Sequence, residues 1–234
     1  MPPEQRPAAD QIVQPQFATV QDAVITSVDW LVEPCWKGTR LLARYEDGAV
    51  SLTDQHGAVP GRELDEAAEV IAQSIDAEQA LLDGIWTVMP FVGSGSAAET
   101  WSATLAEESP TGERPDPATL EKRRAFVAWD LVELDGTSLR DVPYQERRRL
   151  LQSVVAENVR VRVSPAVRLP IYSWLGAWRA AGFTHFVAKH VNSRYRHGQT
   201  AADWLQADID PEKQPSMITR LFMPHRRKIR KVSD

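Results

Sequence analysis

Sulfur ligands are nearly absent from this chain of 234 residues, which has one cysteine, Cys35. A single thiol excludes an intramolecular disulfide and any cysteine cluster for zinc. The five histidines are scattered, and no pair has the i, i+4 spacing that sets two imidazoles on one helical face, so no metal site is expected. Also missing is any apolar run of about 18 residues, which excludes a membrane-spanning helix. The opening MPPEQRPAADQIVQPQ lacks the basic-then-apolar layout of a secretory signal, so a cytoplasmic location is the default expectation. Positive charge is short as well. The net charge is −5, yet residues 220–234 carry six Lys/Arg against Asp234; that local +5 leaves −10 for the rest. A nucleic-acid-binding body is normally basic, because phosphate neutralisation supplies most of the affinity. Here only the tail qualifies, with Arg226, Arg227, Lys228, Arg230 and Lys231 as candidate DNA contacts; its ordinary alternative is a solubilising end.

What is present suits a folded body. Apolar residues make up 43% of the chain and eight are tryptophans, enough for a substantial core. Residues 1–16 are Pro- and Gln-rich and expected to be a disordered tail. Residues 17–208 read as the domain, and 209–234 as a basic C-terminal tail. Short apolar runs at Arg40–Tyr45 and Ala49–Thr53 flank Glu46-Asp47-Gly48, a hairpin signal. Glu63–Ile75, Tyr144–Ala156 and Ser173–Ala181 have helical apolar spacing, and Gly182 falls where a C-terminal cap glycine belongs. Phe126–Val132, Val161–Pro165 and Phe186–Lys189 read as strands. Ala80-Leu81-Leu82 leads into Asp83-Gly84, with Ile85–Met89 as a second arm. Residues 93–119, rich in Gly, Ser, Pro, Glu and Thr, read as a surface insertion with a short helix around Trp101–Leu105. Hairpins outnumber βαβ units, so the expected class is α+β.

The run Glu33-Pro34-Cys35-Trp36-Lys37-Gly38-Thr39-Arg40 resembles the nucleotide-binding motif of bacterial ATP-dependent DNA ligases. The resemblance continues through Leu82-Asp83-Gly84, Phe126-Val127-Ala128-Trp129-Asp130-Leu131, Leu134-Asp135-Gly136, Val187-Ala188-Lys189, Ser193–Gly198 and Trp204. Order and spacing agree over roughly residues 30–206. It implies an ATP-grasp-like nucleotidyltransferase fold, with antiparallel sheets flanked by helices. It also implies a chemistry in which a lysine amine attacks the α-phosphate of ATP to form lysyl-AMP. A divalent metal and cationic side chains steady the phosphates, and carboxylates hold the metal.

Against that pattern, Cys35 replaces the nucleophilic lysine and Lys37 an aspartate. Ile85 replaces the metal-site glutamate after Leu-Asp-Gly. Thr184 and His185 replace a Glu-Gly pair, and Gln206 and Asp208 replace two lysines after Trp204. Glu33, Arg40, Phe126, Asp130 and Lys189 are kept. In the family such residues shape the adenine pocket, contact the ribose or lie near the phosphates, so Glu33, Arg40, Phe126 and Lys189 are the candidate nucleotide-binding set. The 26 residues after Asp208 include three prolines and cannot supply the five strands of an OB-fold, so none is expected.

Three outcomes are compatible with these residues. One is a pseudoenzyme kept as a nucleotide-, nucleic-acid- or protein-binding module. It needs no cofactor, although its scaffold admits ATP or another nucleotide. A second is an altered nucleotidyltransferase that uses Cys35, activated by Lys37, or Lys37 itself. On an extended strand Lys37 would share a face with position 35 but lie ~6–7 Å away. The third is a structural partner protein with a collapsed pocket, marked by bulky groups such as Ile85 and Trp86 filling the nucleotide space.

Overall fold

The computed structural model describes residues 13–88 and 124–209. The first twelve residues, the 93–119 insertion with its expected helix, and the basic C-terminal segment lie outside the described residues. Among the described residues ten strands and three α-helices follow in order. They are β1 (Phe17–Val20), β2 (Trp30–Pro34), β3 (Thr39–Glu46), β4 (Ala49–Asp54), α1 (Asp65–Ala72), β5 (Gln79–Val88), β6 (Arg124–Leu134) and β7 (Thr137–Ser138). After these come α2 (Tyr144–Val154), β8 (Val161–Val163), α3 (Tyr172–Ala180), β9 (His185–His190) and β10 (Thr200–Asp208).

They build two sheets, one ordered β1-β10-β9-β2 and the other β4-β3-β5-β6-β7 with β8 beside β6. Most pairings are antiparallel, but β1 with β10 and β6 with β8 are parallel. The expected antiparallel sheets flanked by helices are present, with these two parallel pairings among them. The layers follow from side-chain alternation along each strand. On one face of the larger sheet, Leu41, Ala43, Leu82, Phe126, Ala128 and Leu131 pack under α1 and α2. On the outer face of the smaller sheet, Val32, Phe186, Ala188, Leu205 and Ala207 pack under Leu175 and Trp178 of α3. The opposite faces meet each other. Ile85, Val127 and Trp129 of the larger sheet pack against Val187 of the smaller one, and Leu42, Leu81 and Val132 pack with Trp204.

The β3–β4 hairpin closes on Asp47 and Gly48, both with positive φ, the requirement of a two-residue type I′ turn. Asp135-Gly136 repeats the device between β6 and β7. Asp83-Gly84 does not. It sits inside the continuous strand β5, and the expected second arm there is a correction. The physical reason is burial on both sides: Asp83 is enclosed and ion-paired, while Gly84 lies against the Phe126 ring, where a Cβ would come within 2.4 Å of Cζ. Helix α3 ends as its glycine indicates. Gly182 has φ +92°, Phe183 N–H donates to Trp178 O at 3.0 Å and Gly182 N–H to Arg179 O at 3.0 Å, the paired bonds of a Schellman cap.

Residues 13–16, expected to belong to the tail, are part of the body. Val13 packs with Leu42, Leu81 and Trp204. Gln16 is buried, and its side-chain oxygen accepts from Arg196 N–H at 2.5 Å.

Candidate functional site

Where the inner faces of the sheets meet, charged side chains form three enclosed pairs. Strand register puts Glu33 of β2 opposite Val187 of β9, so Glu33 and Lys189 project together toward the larger sheet. Both are fully buried, with Lys189 Nζ 3.0 Å from Glu33 Oε1. The ammonium also donates to Trp129 O at 2.8 Å. Aromatic faces enclose it, with ring centroids of Trp204, Trp129 and Tyr144 at 4.4, 4.7 and 4.8 Å. Tyr144, at the start of α2, donates its hydroxyl to Glu33 Oε1. Burial pulls the Lys189 ammonium below the usual lysine range, opposed by the nearby Glu33 and Asp130 carboxylates.

The second pair is Arg40 with Asp83, joined by Nε–Oδ1 at 3.0 Å and Nη2–Oδ2 at 2.6 Å. Tyr195 adds its hydroxyl to Oδ2 at 2.7 Å. The third is Arg147 with Asp130, again two-pronged at 2.8 Å on each oxygen. Arg147 Nη1 also donates to the carbonyls of Val142 and Ser193. Such fork-to-fork geometry fixes orientation as well as charge. Burial pushes the phenols of Tyr144 and Tyr195 well above the ordinary value, reinforced by the carboxylates they bond, Glu33 and Asp83.

Beside the ion pairs the space between the sheets is apolar. Trp36, Ile85, Ala125, Val127, Trp129 and Val187 form one buried cluster, with Cys35 and Phe183 packed on it. Cys35 follows the end of β2, its N–H donating to His185 O at 3.0 Å. Burial pushes its thiol up more than Arg40 and Lys37 pull it down, which disfavours the reactive thiolate. Lys37 is exposed in the β2–β3 loop, where its carbonyl accepts from Thr87 Oγ1 at 2.5 Å. The half-buried thiol and the solvent-exposed amine therefore do not share the strand face that an extended segment would give them. Lys37 lines a shallow recess of about 150 Å³ together with Trp36, Val88, Gly182 and Phe183.

This arrangement matches known proteins. The ATP dependent DNA ligase domain family covers residues 14–207. The chain belongs to the ATP-dependent DNA ligase domain family. It is 26% identical over 184 residues to the multifunctional non-homologous end joining DNA repair protein LigD of Mycobacterium tuberculosis, a match that takes in 79% of this chain and 22% of that protein. A probable DNA ligase of Sorangium cellulosum is 26% identical over 83% of this chain and 36% of its own length. The chain thus spans well under half the length of these curated relatives. Among solved structures, the ligase domain of M. tuberculosis LigD superposes with TM-score 0.61 at 26% identity, covering 83% of this chain and 58% of that one. A mycobacterial DNA ligase D complexed with ATP and MES gives TM-score 0.62 at 25% identity, covering 84% and 60%. The expected nucleotidyltransferase architecture is therefore the one this ligase domain has.

Within the ligase domain, Glu33, Arg40 and Lys189 lie together in the inter-sheet region. Phe126 does not. It is fully buried on the opposite face of β6, under the helices, and its nucleotide-binding assignment is corrected. The register along β6 pairs Asp83 with Asp130 and Gly84 with Ala128, so Trp129 is an extra, bulged residue. Trp129 keeps the face of Ala125 and Val127 by ordinary two-residue alternation and is the aromatic group that faces the site; the bulge breaks that alternation only beyond it. Sequence reasoning also missed Arg147 as the ion-pair partner of Asp130, and Tyr144 and Tyr195 as hydrogen-bond donors to Glu33 and Asp83, since nothing in local spacing ties them together. Of the two bulky groups weighed as pocket fillers, Ile85 does lie between the sheets, whereas Trp86 packs on the helix side. The candidate DNA contacts Arg226, Arg227, Lys228, Arg230 and Lys231 lie outside the described residues.

The residues present do not fit the divalent ion that the family's chemistry uses. Glu33, Asp83 and Asp130 are each taken by a cation of the protein, and Ile85 replaces the expected carboxylate. Among the described residues no three His, Cys, Asp or Glu side chains converge.

Proposed function

We propose that this chain is a non-catalytic ligase-type adenylation domain, kept as an interaction module beside DNA end-joining and not as a nucleotidyltransferase. The observation that carries this is the setting of Cys35. The residue at the nucleophile's position is a thiol held protonated by burial, packed against the apolar cluster of Trp36, Ile85 and Trp129. Attack at a phosphate needs a deprotonated nucleophile, a counter-charge for the phosphate oxygens and near-contact geometry. The apolar cluster offers no counter-charge, and Lys189, Arg40 and Arg147 already have carboxylate partners.

The placement of Ile85 also favours a closed nucleotide space over an open one. Partners are then macromolecular: DNA through the basic tail, or a protein of the end-joining machinery.

Incubation of the purified chain with α-labelled ATP and Mg²⁺, followed by denaturing electrophoresis, is expected to leave no label on the protein. ATP, ADP and AMP at millimolar concentration are expected to leave its melting temperature unchanged. A covalent label abolished in Lys37→Ala or Cys35→Ala would replace this proposal with an altered enzyme. A melting shift without label would restore nucleotide binding to the module.

A further inference from the structure

Asp-Gly occurs three times in this chain, at 47–48, 83–84 and 135–136, and Asn-Gly not at all. Glycine lacks a Cβ, so its amide nitrogen is open to approach by the side chain before it. The fold gives the three pairs different surroundings. Asp83 is fully buried, held by the Arg40 fork and the Tyr195 hydroxyl, and Gly84 is wedged against Phe126. A close-packed interior resists the backbone rotation that a reaction between neighbours needs. Asp135 is exposed at a hairpin tip, yet its Oδ1 accepts from the N–H groups of Glu78 at 2.9 Å and Gln79 at 3.0 Å. Its own N–H donates to Gln79 O at 2.8 Å. The carboxylate bonds have to break before that carboxyl can reach Gly136.

Asp47, the matching residue of the β3–β4 hairpin, has none of these ties. Among the described residues its carboxylate accepts no hydrogen bond and joins no ion pair, and Gly48 N–H makes no backbone bond. Both residues are exposed, and a Cβ added at Gly48 would meet nothing within 4 Å.

We propose that Asp47 is a site of spontaneous isoaspartate formation, selected by the fold from the three Asp-Gly pairs. The Gly48 nitrogen attacks the carboxyl carbon of protonated Asp47. An N–Cγ bond forms, the amide proton departs, and one carboxyl oxygen leaves as water. Water then opens the imide ring at the α-carbonyl, breaking its bond to the Gly48 nitrogen and leaving a carboxylate there. The chain now runs through Cβ and Cγ, one carbon longer and unchanged in mass. A two-residue turn sets hairpin register by its length, so the extra carbon disturbs the pairing of Glu46 with Ala49. The new α-carboxylate is the group that isoaspartyl carboxyl methyltransferases methylate. This modification goes beyond the non-catalytic function proposed above and does not depend on it.

Ageing the purified full chain for weeks at mildly acidic pH, followed by peptide mapping with electron-transfer dissociation, tests it. Isoaspartate at Asp47 is expected to exceed that at Asp135 and Asp83 by at least about five-fold, the factor that one broken hydrogen bond represents. Methyl transfer from labelled S-adenosylmethionine by an isoaspartyl methyltransferase should report the same product and be lost in Asp47→Glu, whose ring would have to be six-membered. In urea, where the contacts of Asp83 and Asp135 are gone, the three positions should react alike. Equal isoaspartate at Asp135 or Asp83 in the native chain would overturn the proposal. So would its absence from Asp47, or the native ranking persisting in urea, which would place the selectivity in the flanking sequence.

Discussion

A methyl group added at Gly84 would lie 2.4 Å from Phe126 Cζ and 2.7 Å from the Val127 carbonyl oxygen. Gly84→Ala is therefore expected to lower unfolding free energy by about 1–3 kcal/mol through overpacking. Phe126→Leu in the same chain should recover part of the loss, as urea denaturation of the two single variants and the double variant would reveal. Gly182 makes the opposite demand. It has open space around it but φ +92°, so Gly182→Ala should cost about 1–2 kcal/mol from backbone strain alone, with no neighbour able to relieve it. The buried pair Arg147–Asp130 has more at stake. Asp130→Asn leaves a buried guanidinium without its counter-charge and should destabilise by about 3–5 kcal/mol, read by the same denaturation measurement. Cys35→Lys is the informative change at the nucleophile's position. It restores the amine but sets it beside Ile85 in an apolar cluster, so it is expected to lower stability and still give no covalent adenylate. Adding Ile85→Glu should recover stability relative to Cys35→Lys alone, because the two new charges would face each other.

At the scale of elements, two Leu-Asp-Gly triplets show what sequence could and could not reveal. Leu134-Asp135-Gly136 makes the turn that its residues favour, with positive φ at both Asp and Gly. Leu82-Asp83-Gly84 has the same letters and runs straight through β5. The difference lies in Arg40, Tyr195 and Phe126, all distant in sequence, which bond the aspartate and press on the glycine. The hairpin at Asp47-Gly48, the three helices and the α3 cap were legible because each is decided within a few residues. Strands β1, β2 and β10 were not read as strands, since each takes its partner from the far end of the chain. The motif residues Glu33, Arg40 and Lys189 were legible as a set through family resemblance. Their partners were not, and neither was the face of β6 that points to them, which carries Trp129 and not Phe126.

For the whole molecule, the lattice between the sheets sets a pH dependence. Tyr144 and Tyr195 hold their protons in the fold to higher pH than in the unfolded chain. Their contribution to stability is complete below the unfolded phenol value near 10 and is lost as pH rises above it toward the folded values. Urea midpoints should therefore fall steeply above about pH 10. Tyr195→Phe should flatten that fall while lowering stability at neutral pH, because Asp83 loses a hydrogen bond.

The strand order also has a consequence for how the chain is made. The larger sheet is built wholly from residues 39–163, whereas the smaller one joins Phe17–Pro34 to His185–Asp208. A chain leaving the ribosome can complete the first sheet, with its hairpins and two helices, long before the second has its last strands. Until β9 and β10 emerge, β1 and β2 have no strand of their sheet to pair with, β2 being held only by the bridge of Val32 to Val167, and the inner face of β6 that carries Trp129 is uncovered. Closing a loop between Phe17 and Thr200 is a late, slow, non-local event. The stretch between synthesis of β8 and synthesis of β10 is thus the interval in which this protein is most open to aggregation or to a chaperone.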